Sequence, residues 1–117
     1  MEEIKVGEYV RINNDFRLIA LGIGKVTRIN QDTIYVKMRF ELPFAFKVDD
    51  IAKHRPNIID LIEEGDYVNG KLIHKVDIRE NSAYIYYGNG KTFCDYQIKD
   101  VVTKEQFNQM KYIVGDE

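Results

Sequence analysis

The chain has 117 residues, 44% of them hydrophobic and 31% charged, with a net charge of −2. That balance belongs to a globular chain and argues against disorder, while the length allows one ordinary domain or two very small modules. The molecule as a whole is not an electrostatic nucleic-acid binder. Its charge is uneven, however: residues 1–57 carry ten Lys/Arg against eight Asp/Glu, and residues 58–117 carry seven against eleven.

The opening MEEIKVGEYV is acidic and has no signal-peptide core, and no apolar run approaches the roughly 18 residues of a membrane span. Cys94 is the sole cysteine, which excludes an internal disulfide. These features predict a cytoplasmic protein with no membrane association.

In chain order, the first element is a strand at Tyr9, Val10 and Ile12, ended by the turn cluster Asn13-Asn14-Asp15. Two strands follow at 25–29 and 33–38, joined by Asn30-Gln31-Asp32. Phe40, Leu42, Phe44 and Phe46 share one face of an extended run broken at Pro43. Asp49-Asp50-Ile51 reads as a turn before a closing strand. NIIDLIE (57–63), apolar on both faces, reads as a connecting strand.

The chain then repeats itself. Gly7-Glu8-Tyr9-Val10 returns as Gly65-Asp66-Tyr67-Val68, Lys25-Val26 aligns with Lys75-Val76, and Tyr35-Val36 with Tyr84-Ile85. Phe44 matches Phe93, and Val48-Asp49-Asp50-Ile51 matches Ile98-Lys99-Asp100-Val101. The spacing places about eight extra residues of the first copy in NNDFRLIALGIG. In the second copy, strands at 76–79 and 83–87 flank Glu80-Asn81-Ser82, and Gly88-Asn89-Gly90 turns the chain into an extended 91–97. Thr103-Lys104-Glu105-Gln106 has the capping-box form and predicts a short helix near 104–110, with Phe107 and Met110 on one face. Residues 112–114 read as a returning edge strand. The expected fold is mainly β: two tandem small SH3-like antiparallel barrel units, 1–56 and 57–117, with a short C-terminal helix.

Two resemblances attach to these residues. Gly7-Glu8-Tyr9-Val10 with Gly22-Ile23-Gly24-Lys25-Val26 and Ile34-Tyr35-Val36 resembles the opening of KOW-type SH3-like barrels; His74 replaces the glycine in the second copy. PNIIDLIEEGDYVNG (56–70), followed by IKDVVTKEQF (98–107), resembles small proteins encoded by phages and prophages of Gram-positive bacteria. The second resemblance spans most of 56–112. It implies a mobile-element protein acting in the bacterial host cell, without assigned catalytic residues, of a kind that binds or inhibits host machinery, anti-CRISPR proteins among them.

The residues themselves offer little for catalysis. His54, His74 and Cys94 lack ligand spacing, Gly88-Asn89-Gly90-Lys91 is a hairpin turn, and Asp49-Asp50 is a solvated turn. The expectation is therefore no catalytic site, no metal and no cofactor. The favoured function is a phage or prophage accessory protein that binds another protein, as an inhibitor of a nucleic-acid-binding host defence nuclease. Its candidate contacts are Tyr84, Tyr86, Glu64, Asp66 and Glu80, tyrosine because it combines rigid area with a polar tip. The alternative is a KOW-like nucleic-acid-binding module using Arg11, Lys25, Arg28, Tyr35 and Lys37, with Arg17 and Arg39 on the same basic half. A homo-oligomer is compatible with either.

Overall fold

Alternation of apolar and polar residues builds the first sheet. Val10, Ile12, Val26, Ile34, Val36 and Phe46 turn to one side and are buried there with Met38, and half-buried Phe44 packs beside them. Period two sends Tyr9, Lys25, Tyr35 and Lys37 to the other side. The computed structural model describes residues 3–13, 21–38, 42–80 and 82–110. The expectations for 14–20, Arg39, Phe40 and 112–114 lie outside the described residues.

Strands β1 (Tyr9–Ile12), β2 (Ile23–Asn30), β3 (Thr33–Lys37), β4 (Phe44–Phe46) and β5 (Ile51–Arg55) form an antiparallel sheet in the order β4-β3-β2-β1-β5. The second half holds β6 (Tyr67–Val68), β7 (Lys71–Leu72), β8 (Lys75–Ile78), β9 (Ala83–Tyr86), β10 (Thr92–Phe93) and β11 (Val101–Val102), then helix α1 (Lys104–Met110). These strands make two three-stranded sheets, β11-β6-β7 and β10-β9-β8. If β7 and β8 are taken as one broken strand, this is the pairing order of the first sheet. The protein is thus mainly β, in several small antiparallel sheets. Among the described residues no sheet closes into a barrel, and no helix is long and apolar enough to cross a membrane.

The repeated Gly-acid-Tyr-Val segments perform the same turn twice. Gly7 and Gly65 have φ of 94° and 96°, a backbone that favours glycine. Gly7 N donates to Val26 O at 2.9 Å, and Gly65 N to Ile73 O at 2.8 Å. The acid closes each turn from its side chain: Lys5 N donates to Glu8 Oε1, and Glu63 N to Asp66 Oδ2, both at 2.8 Å. The far end of each half matches too. Asn13 N donates to Asp50 O at 2.7 Å and Asn69 N to Asp100 O at 3.0 Å. The 3-10 turns Val48–Asp50 and Asp95–Gln97 are each closed by a side chain, Lys47 N to Asp50 Oδ2 and Cys94 N to Gln97 Oε1, both at 2.9 Å.

Three local expectations change. Val26 bonds both to Glu8 O and opposite Val36, whereas the second half divides those roles between Ile73, which donates to Asp66 O, and Val76, opposite Ile85. The alignment of Lys25-Val26 with Lys75-Val76 therefore holds only on the β3 side, and the inward-turned Ile73 breaks the strand. Residues 57–63 are not a strand: Ile58–Leu61 is a 3-10 turn burying Ile59 and Leu61, with Ile59 N held by Asp95 Oδ1 at 3.1 Å. The extended 91–97 shortens to β10, because Cys94 already begins the next 3-10 turn.

The second core is smaller still, with Ile59, Ile62, Val68, Ile73 and Ile85. Units this size bury too little surface to be robust alone. They are joined by apolar contact, Ile23 of β2 packing against the second core, and by a polar seam beside it.

Candidate functional site

Arg11 and Asp66, expected on two different surfaces, meet in the seam between the halves. Arg11 belongs to the part of β1 that runs on where β6 stops, and it is 4% exposed; Asp66 is 0% exposed. The guanidinium grips the carboxylate in a bidentate pair, Nη1 to Oδ2 at 2.7 Å and Nη2 to Oδ1 at 3.0 Å. Arg11 also donates to Leu61 O and to Glu105 Oε1, each at 3.0 Å. Asp66 fills its remaining acceptor sites with Glu63 N at 2.8 Å and Lys104 N at 2.9 Å. Burial alone would favour loss of the Arg11 charge. The hydrogen bonds and charge of Asp66, with the charges of Glu63 and Glu105, outweigh it and raise the pKa above the usual arginine value. The groove of about 600 Å³ over this seam, lined by Arg11, Glu63, Lys104 and Glu105 among others, is occupied by charges already paired with one another. Neither Arg11 nor Asp66 is placed to meet a partner: one anchors and the other is anchored.

Helix α1 completes the seam. Thr103 and Gln106 form the reciprocal cap expected from their spacing, Thr103 N to Gln106 Oε1 at 2.9 Å and Gln106 N to Thr103 Oγ1 at 3.2 Å. Gln106 Nε2 reaches across to Leu21 O at 3.4 Å, and Phe107 stacks on Tyr67 with centroids 4.5 Å apart. Glu64 lies beside this helix, its carbonyl 3.5 Å from Lys104 Nζ.

Glu80 and Tyr84 do come together. They line a cleft of about 400 Å³ with Asn57, Asp60, Asp95 and Tyr96, on the rim of the second half. Tyr84 is 44% exposed because Ile85, next along β9, is the residue turned into the core. Tyr96 is 81% exposed and rises from the 3-10 turn. Its neighbour Cys94 holds its pKa above the usual tyrosine value. Three carboxylates, Asp60, Glu80 and Asp95, border the two rings. Arg79, the cation of the cleft, is paired to Asp77 at 3.1 Å. Tyr86 lies outside the cleft, under Lys75 Nζ at 5.2 Å. Sequence reading missed Tyr96 and Asp60. Both sit, as Asp95 does, on 3-10 turns where strands were expected, so their direction was misjudged.

Lys25, Arg28, Tyr35 and Lys37 also come together, on the outward face of the first sheet. Arg28 stacks over Tyr35 at 4.1 Å, and Lys25 lies over Tyr9 at 5.6 Å. His54 is half-buried against Glu8, Nδ1 to Oε1 at 3.0 Å, and exposed His74 approaches Gly88 O at 3.2 Å. Among the described residues no three His, Cys, Asp or Glu side chains gather as a metal ion would require. Comparison of the chain with protein-family models, with curated proteins and with solved structures finds no match.

Proposed function

We propose that the chain is a non-enzymatic binding protein of two tandem SH3-like units, and that the second unit takes a basic segment of a partner protein in the Tyr84–Tyr96 cleft. The common pairing order and the duplicated Gly-acid turn support two units of one kind. One observation carries the binding reading: two exposed tyrosines stand in a cleft bordered by Asp60, Glu80 and Asp95. The rings offer rigid area, and the carboxylates select positive charge and speed its approach. A nucleic-acid-binding host protein, as the phage resemblance implies, would present such a basic segment.

Panning the immobilised protein against a random peptide library tests this. The reading expects enrichment of Lys/Arg-rich peptides carrying an apolar or aromatic residue, lost on a Tyr84→Ala/Tyr96→Ala variant. Enrichment without basic bias, or unchanged on that variant, would refute it.

A further inference from the structure

We infer that the outward face of the first sheet is a second, independent binding site, for single-stranded nucleic acid. The five strands β1–β5 read YVRI, IGKVTRIN, TIYVK, FAF and IAKHR; they contain six Lys/Arg and no Asp or Glu. Of these cations, Arg11 is buried and held by Asp66. The cross-strand register sets others in a row. Arg55 lies opposite Tyr9, Tyr9 opposite Lys25, and Lys25 opposite Lys37, across β5, β1, β2 and β3. Neighbouring strands are about 4.8 Å apart, so the row spans roughly 15 Å from end to end. Arg28 opposite Tyr35 adds a second rank beside it.

Each element of this face has a use in single-strand binding. Lys25, Arg28, Lys37 and Arg55 are exposed and can follow a phosphate backbone. The Arg28 guanidinium lies 4.1 Å from the Tyr35 ring centre, which offers a flat cationic platform. A base stacks on such a plane, as on an aromatic ring, without regard to its identity. The second half covers this face at Arg11 and Ile23; the part carrying Lys25, Arg28, Lys37 and Arg55 stays exposed and admits splayed bases. The stiff duplex, whose bases are already stacked, offers it phosphates alone. The acidic surplus of the chain does not oppose this, because it resides in residues 58–117. Together with the cleft, the face would let one molecule hold a nucleic acid on one half and a protein on the other.

Fluorescence anisotropy with labelled oligothymidylate of about 20 nucleotides, long enough for one such site, tests the inference on the intact chain. With four cations engaged, affinity should fall roughly 50-fold between about 50 and 200 mM salt. Lys25→Glu/Arg28→Glu should lose at least tenfold, while Lys71→Glu/Lys91→Glu, the same charge change on the other half, should stay within about twofold. Circular dichroism verifies that both variants fold. Backbone amide shifts of the wild-type protein should move at 9, 25–28, 35–37 and 55, a readout free of any mutation. Absence of binding at low salt would overturn the inference. So would equal losses in both variants, or equal affinity for a duplex or for polyglutamate.

Discussion

Tyr35 and Tyr84 occupy the same place in the two halves and have opposite neighbours. Each is turned outward on the strand after the hairpin, beside a buried Val36 or Ile85; Tyr35 faces Arg28 across the ladder, and Tyr84 faces Asp77. The two matching surfaces thus differ in charge around a tyrosine. The first copy surrounds it with cations, the second with carboxylates.

That contrast predicts different penalties in peptide binding. Tyr84→Ala should weaken a basic peptide by about 2 kcal/mol, roughly 30-fold, as loss of a central aromatic anchor does. Glu80→Gln should cost under about 1 kcal/mol, because an exposed ion pair is weak and screened. Calorimetry at two salt concentrations separates the two, since added salt erases only the Glu80 effect.

The seam predicts strong coupling. Arg11→Met leaves the Asp66 carboxylate buried without its bidentate partner, and Asp66→Leu strands the guanidinium; each should destabilise by about 3–5 kcal/mol in urea unfolding. The double variant should lose far less than the sum, since it removes both charges together. Additive losses would mean that the pair does not join the halves.

Replacement of the repeated glycines should be costly for a backbone reason. Gly65→Ala forces a side chain into φ of 96° and brings Cβ to 3.3 Å from Lys104 Cδ; Gly7→Ala meets the same strain at 94° with open space around it. A loss of about 1–2 kcal/mol is expected at each, larger at Gly65. Thermal unfolding of the two single variants gives the comparison.

Lys104 gives stability a pH dependence at the alkaline end. Its hydrogen bond to Glu63 raises its pKa above 10.5, helped by the charges of Glu63, Glu105 and Asp66 against the opposing effect of burial. A raised pKa means that the folded state holds this proton more tightly than the unfolded one. The contribution is therefore complete below 10.5 and disappears as pH climbs through the folded value. Unfolding free energy of the wild type minus that of Lys104→Gln should decline above that pH. A difference that stayed flat or grew would contradict the assignment.

Much of the β architecture was legible because it rests on local rules. Alternation located the first three strands, the Thr103–Gln106 spacing located the helix, and the Gly-acid repeat marked equivalent turns. The same repeat held an unread message about Asp66. Glu8 and Asp66 stand at one position of a duplicated turn, and both side chains close it; an acid with that task is poorly placed to serve a partner. Arg11 was not legible at all. Nothing within reach of β1 in sequence says that its outward face meets a carboxylate 55 residues away. The cleft was half-read for a similar reason: Tyr84 and Glu80 lie on a hairpin whose alternation is regular, whereas Asp60 and Tyr96 lie on 3-10 turns, whose directions alternation does not give.

The central claim is that the halves carry separate sites of opposite charge, and amide-shift mapping of one labelled sample tests it most directly. A Lys/Arg-rich peptide should move residues 57–60, 79–84 and 94–96. Oligothymidylate should move 9, 25–28, 35–37 and 55, with neither ligand displacing the other. Shifts by both ligands on one shared set of residues, or peptide shifts confined to the first sheet, would contradict the account.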